Sequence, residues 1–196
     1  DGPVRLIYHS TPHRGLELLV NAFEHLAETN NIILDVYSSF SLYGWKDRDK
    51  PYEELFERCR NHPKINYHGA VSKEEVRAAV AKAHIFAYPS IWQETGCRTL
   101  TEAMSAECLC IHPNYGCLYE TAANWTLMYQ WNENKLKHTR KFAKILSYAI
   151  EDIKTGSLNS ILQAQKAYAD QFYGWSEKAK EWSILLKNIL YEKGRK

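Results

Sequence analysis

Short apolar runs alternate with stretches whose apolar residues recur at helical spacing along the first 131 residues of the chain. VRLIYHS (4–10) is β-rich and predicts a first strand. The turn TPHRG follows, and then GLELLVNAFEHLAETN places Leu16, Leu19, Val20, Phe23 and Leu26 on one helical face. NIILDVYSS (31–39) predicts a second strand. A polar and aromatic loop, FSLYGWKDRDKPYEE, leads to the helix PYEELFERCRNH. KINYHGAVS (64–72) is a third strand with its exit, and Ser72 with Glu75 forms a capping box for the helix KEEVRAAVAKA. HIFAYPS is a fourth strand and CLCIHP a fifth. NYGCLYET (114–121) is a glycine turn into a helix, and WTLMYQW (125–131) offers a sixth strand. After about residue 135 the pattern is helical throughout.

Strands separated by crossovers of roughly 20–30 residues imply a parallel sheet with right-handed connections. The expected fold is α/β, a Rossmann-like parallel sheet flanked by helices. We expect a single domain over 1–196, with a core at about 1–135 and a helical tail at 136–196. No linker, repeat or low-complexity stretch divides the chain.

In a parallel sheet every strand exit lies on one edge, where such folds bind their ligands. The richest exit is YPSIWQETGCRTLTE, Tyr88 to Glu102. Glu94 and Glu102 bracket Gly96, which admits close backbone approach, and the helix start at Thr99 and Leu100 offers free N–H groups. The first exit holds Ser10, Thr11, His13, Arg14 and Gly15, a cation and hydroxyls at a helix start, which suit a phosphate. Carboxylates at such a cleft accept from vicinal hydroxyls. These residue types point to a nucleoside diphosphate bearing a polyol. The first turn lacks G-x-G-x-x-G, which lowers the reading as a dinucleotide-dependent oxidoreductase.

Composition narrows the classes. Basic and acidic residues number 25 and 23, so the formal charge is +2 and no nucleic-acid or membrane partner is indicated. No apolar run is long enough to span a bilayer, and DGPVRLIYHS lacks a signal-peptide core. That opening reads as a cut into a longer chain. Five scattered cysteines argue against a disulfide framework, so a cytoplasmic-type compartment is expected. Cys108-x-Cys110 with His112 lacks the spacing of a tetrahedral metal site and reads as a buried strand.

The pattern P-S-x-x-x-E-x-G-x-x-x-L-x-E-A-M resembles the E-x7-E signature of the retaining GT-B glycosyltransferases of family four, or group 1. The resemblance runs from about residue 5 to 121, and WSEKAKEW is similar to the family's C-terminal helix. It implies the donor-binding half of a GT-B enzyme, which moves a sugar from a nucleotide-diphosphate sugar to an acceptor hydroxyl with retention. Glu94 would contact the donor sugar, and Glu102 the ribose. The backbone from Gly96 and Cys97 to Thr99 and Leu100 would meet sugar and phosphate, and the Ala70–Ser72 loop with Val71 the nucleobase. Arg14-Gly15 would hold the diphosphate, making Glu94 and Arg14 the catalytic candidates. Where the family often has Gly-Arg-Leu, this chain has Tyr8-His9-Ser10, so His9 or the hydroxyls of Ser10 and Thr11 would substitute on the phosphate. Glu107 stands where glycine is common. The resemblance implies no metal and no resident cofactor, a glycan, lipid or protein acceptor, and an N-terminal acceptor domain in cis or trans. A non-catalytic nucleotide-sugar-binding module is the alternative function.

Overall fold

Every strand exit opens on the same edge because all six strands run parallel, in the order β3-β2-β1-β4-β5-β6. The computed structural model describes residues 2–193; Asp1 and the last residues of the expected tail, 194–196, lie outside the described residues. The strands are β1 (Val4–His9), β2 (Ile32–Tyr37), β3 (Ile65–Tyr67), β4 (Ile85–Ala87), β5 (Leu109–Pro113) and β6 (Leu127–Tyr129). β1 lies at the centre, with Leu6 beside Leu34 on one side and Ile85 on the other. Its residues are almost continuously buried, as a strand covered on both faces requires. The chain first winds outward through β2 and β3, then jumps back to β4. The winding direction therefore reverses between β1 and β4, which makes their exits the switch point of the sheet.

In β1, β2 and β4 the final residues of the apolar run leave the ladder to build the edge. Tyr88-Pro89-Ser90 continues β4 in this way: Tyr88 still donates its N–H to Ile111, and Ser90 turns back to bond Tyr88.

The helices are α1 (Leu16–Ala27), α2 (Glu53–Asn61), α3 (Lys73–Val80), α4 (Arg98–Ser105), α5 (Leu118–Ala122), α6 (Lys135–Thr155), α7 (Asn159–Tyr173) and α8 (Trp175–Lys193). The capping box on α3 is present: the Ser72 hydroxyl accepts from Glu75 N–H, and the Glu75 carboxylate accepts from Ser72 N–H. The polar and aromatic loop after β2 is more ordered than its composition predicts. It forms 3-10 turns at Phe40–Tyr43 and Lys46–Tyr52, and Asp49 ties it down by accepting from the Ser39 hydroxyl and the Phe40 N–H.

The helices after residue 135 differ in how far they join the core. Helix α6 belongs to the core, since it buries Phe142, Leu146, Ala149 and Ile150 and packs on α1 and the sheet. α7 then packs on α4 (Ala169 buried), and its buried Gln165 donates to the Cys108 carbonyl at 2.8 Å. Only α8 has the character of a tail. None of its residues is buried, and Trp175, Trp182, Leu186 and Leu190 stand exposed. No helix among the described residues is long and apolar enough to cross a membrane.

Candidate functional site

At the switch point two backbones touch. Gly15 ends the 3-10 turn Pro12–Arg14 with φ 116°, and a Cβ there would lie 2.2 Å from the Pro89 carbonyl oxygen. Only glycine permits this approach. A second close approach joins the exits of β4 and β5. Gly116 has φ 61°, and a Cβ on it would fall 2.6 Å from both N and O of Glu94. Cys117 N–H also donates to the Glu94 carbonyl at 2.9 Å. Three strand exits are thus interlocked through main chain.

This frame brings Arg14 and Glu94 together. Arg14 Nη1 lies 3.1 Å from Glu94 Oε1, and the same oxygen accepts from the Tyr88 hydroxyl at 2.5 Å. The Glu94 side chain is 3% exposed and that of Arg14 27%. The resemblance casts Glu94 as a sugar contact. Here its carboxylate is enclosed by partners rather than displayed. Burial, followed by the nearby Cys97, Tyr8 and Glu94, raises the Tyr88 phenol well above its usual range, so it stays protonated and donates.

The neighbouring histidines are enclosed by aromatic side chains. His9 is buried against Phe86 with its Nε2 unpartnered, and burial lowers its pKa to about 4. Burial thus favours the neutral imidazole. Ser10 is half-buried. Thr11 is buried, and its carbonyl accepts from the Tyr8 hydroxyl at 2.8 Å. His13 stacks on Phe40 and meets Trp92 edge-on, at 5.2 and 4.7 Å between ring centres.

Glu102 occupies different ground. It lies on the exposed face of α4, in a cleft of about 740 Å³ between α3, α4 and the α7–α8 junction. Gly96, Cys97, Arg98, Arg77 and Trp175 also line this cleft, whose size suits a small-molecule ligand. The Glu102 carboxylate makes no hydrogen bond or ion pair among the described residues, so its acceptor sites stand open. At the start of α4, Thr99 Oγ1 lies 3.3 Å from Cys97 Sγ, and Leu100 is fully buried. Burial raises the Cys97 thiol to about 11, which leaves it a protonated, unreactive group. After β3, Gly69 and Ala70 open on a second hollow of about 490 Å³ that also includes Asp49, Arg60 and Tyr67. Val71 is half-buried, and Ser72 is committed to capping α3.

All five cysteines are free. Cys108, Cys110 and His112 are buried in and beside β5 and spend their polar atoms on carbonyls and on Thr126. Among the described residues no group of three or more His, Cys, Asp or Glu is placed to hold a metal ion.

A six-stranded parallel sheet in this order, flanked by helices and with glycine turns at its switch point, matches a Rossmann-like half of the GT-B fold. The chain belongs to the glycosyl transferases group 1, whose family model matches residues 7–152. No curated protein matches it. Among solved structures it is similar to a glycosyltransferase from Rickettsia africae, at 20% identity and a TM-score of 0.76, covering 97% of this chain and 48% of that one. It is also similar to Anabaena HepE, described in complex with UDP-glucose, at 18% identity and a TM-score of 0.74, covering 95% and 49%. Sucrose-phosphate synthase from Thermosynechococcus elongatus gives 17% identity and a TM-score of 0.74, covering 98% and 46%. The chain spans about half the length of these proteins.

Sequence reasoning did not single out Tyr88, Arg77 or Trp175 as parts of these surfaces. Tyr88 read as the end of a buried strand, and only its tertiary contact with Glu94 distinguishes it. Arg77 and Trp175 lie far apart in sequence and converge on the cleft only because α7 packs on α4.

Proposed function

We propose that this chain is the donor-binding half of a retaining glycosyltransferase, acting on a nucleotide-diphosphate sugar. The observation that carries the reading is the convergence of Arg14 and Glu94 at the switch point, beside a cleft in which Glu102 is unpartnered. In this reading Glu102 accepts from the ribose hydroxyls and the Ala70–Ser72 loop, with Val71, meets the base. Arg14, Gly15, the Ser10 and Thr11 exit and the backbone of Gly96 to Leu100 face the diphosphate. Glu94 serves the transferred sugar. The bond from the anomeric carbon to the diphosphate breaks, and negative charge grows on the leaving oxygen. Main-chain dipoles already in place, and the Arg14 cation once it turns from Glu94, stabilise that charge. The acceptor hydroxyl, on a glycan, lipid or protein, gives its proton to the departing diphosphate as the new glycosidic bond forms. It would be presented by a second, N-terminal half, in cis or in trans.

Arg14 and the helix start supply the positive charge at the phosphate position, so we propose that no metal or resident cofactor is needed. Four buried, unpaired thiols support a reducing, cytoplasmic-type compartment. The enclosure of Glu94 favours one second reading, a module that binds a nucleotide sugar without turning it over.

The test is calorimetry with UDP, GDP, ADP, their glucose conjugates and NAD, in the presence of a chelator. One nucleoside diphosphate and its sugar conjugate should bind, and NAD should not. Binding of NAD alone, or binding only with added divalent metal, would refute the proposal. Turnover after joining an acceptor half separates the enzyme from the binding module.

A further inference from the structure

Tyr88 has no part in the roles assigned so far, yet it makes the shortest contact to Glu94. Its ring is fully buried, packed against Phe86 and Tyr8 at 5.2 and 5.9 Å between centres, and its N–H is held by Ile111 of β5. A ligand at the sheet edge cannot reach it. The hydroxyl donates to Glu94 Oε1 at 2.5 Å, the oxygen that Arg14 also approaches. Two of the three groups are immobile, since Tyr88 is locked in the core and the Glu94 main chain is clamped by Gly116 and Cys117. Arg14 is the movable one. It has a long, part-exposed side chain, and its Nε has no partner.

The cation proposed for the diphosphate is therefore paired with the carboxylate proposed for the sugar. A diphosphate must draw Arg14 away, which leaves a buried, charged Glu94. We propose that Tyr88 is the positioning residue that keeps Glu94 hydrogen-bonded and oriented when Arg14 turns to the diphosphate. This rests on the reading that Arg14 takes the phosphates. It follows that diphosphate affinity depends on a phenol the ligand never touches, and only while residue 94 carries a charge. A buried carboxylate stripped of its donors is costly, whereas a neutral amide is much less so.

The experiment is a double-mutant cycle with Tyr88→Phe and Glu94→Gln. Calorimetry uses whichever of UDP, GDP and ADP binds the wild type most tightly. Tyr88→Phe should weaken binding about tenfold, in line with loss of a hydrogen bond to a charged group. Glu94→Gln should bind more tightly than wild type, because Arg14 is released. The double variant should match Glu94→Gln, with the effect of Tyr88→Phe gone. An unchanged affinity in Tyr88→Phe, or the same loss in both backgrounds, would overturn the proposal and leave Tyr88 a packing residue. Circular dichroism confirms folding of each variant. Should Tyr88→Phe fail to fold, Glu94→Gln decides whether Arg14 is released at all, and binding there no tighter than wild type overturns the proposal. If the wild type binds none of the three, the nucleotide site itself is refuted and this inference with it. If it binds and the cycle is additive, only the role of Tyr88 fails.

Discussion

Replacing Gly15 by alanine tests whether the switch point is as tight as the geometry requires. The added Cβ would start 2.2 Å from the Pro89 carbonyl oxygen and 2.9 Å from its carbon. Real Cβ contacts stay beyond 3.0 Å, so one backbone must retreat by at least 0.8 Å, and neither obstacle is a side chain that can rotate away. Forcing extra volume into a packed site costs about 1–3 kcal/mol. A residue with a Cβ at φ 116° adds strain of about 1–3 kcal/mol. Together these predict a loss of roughly 2–6 kcal/mol, which for a domain of this size lowers the melting temperature by about 4–24 °C. The same movement shifts Arg14, the adjacent residue, away from Glu94, so diphosphate affinity should fall with stability. The assay is thermal unfolding followed by circular dichroism, with a parallel titration of the diphosphate at a temperature where the variant is folded. A melting temperature within a degree or two of wild type would refute the close approach of the two exits.

Glu107→Gly should stabilise the fold by up to about 1 kcal/mol, because Glu107 sits at φ 62° after α4, where glycine escapes the left-handed penalty; an unchanged or lower urea midpoint would contradict this. His9 protonates near 6.5 when unfolded but only near 4 when folded, so its contribution is complete above pH 6.5 and is lost as pH falls from 6.5 towards 4. That contribution is at most about 3 kcal/mol, and His112, also lowered to about 4 by burial, behaves alike. His9→Phe should flatten the decline in stability between pH 7 and 4.5, and a slope equal to wild type would show that His9 does not drive it. Glu102→Ala should weaken the nucleoside diphosphate by about ten- to a hundredfold with the melting curve unchanged, the loss expected for charged hydrogen bonds of about 1.5–3 kcal/mol. Equal dissociation constants for this variant and wild type would remove Glu102 from the site.

The alternation of strands and helices was legible because buried parallel strands and amphipathic helices have different hydrophobic periods, and the Ser72–Glu75 cap because it is local. The membership of α6 in the core was not. Its apolar stripe shows that one face is buried but not against what, and α1, its partner, lies more than 100 residues earlier. The two glutamates could be read as a pair from their spacing, yet their environments could not. Whether a carboxylate is enclosed like Glu94 or open like Glu102 depends on Arg14, Tyr88 and Gly116, which come from three different strand exits. The order of the loop after β2 was hidden for the same reason, since Asp49 acts on residues nine and ten positions before it.

The main-chain contacts at Gly15–Pro89 and Gly116–Glu94 also bear on how an incoming ligand spends its binding energy. Ordering a mobile loop costs about 1–2 kcal/mol for each backbone residue fixed. A rim whose backbones already touch has met that cost during folding. What remains to be ordered is a few long side chains, Arg14 foremost, at about 0.5–1.5 kcal/mol each. Association should then proceed without a slow loop-closing phase at these three exits, and differences between ligands should appear mainly in how fast they leave.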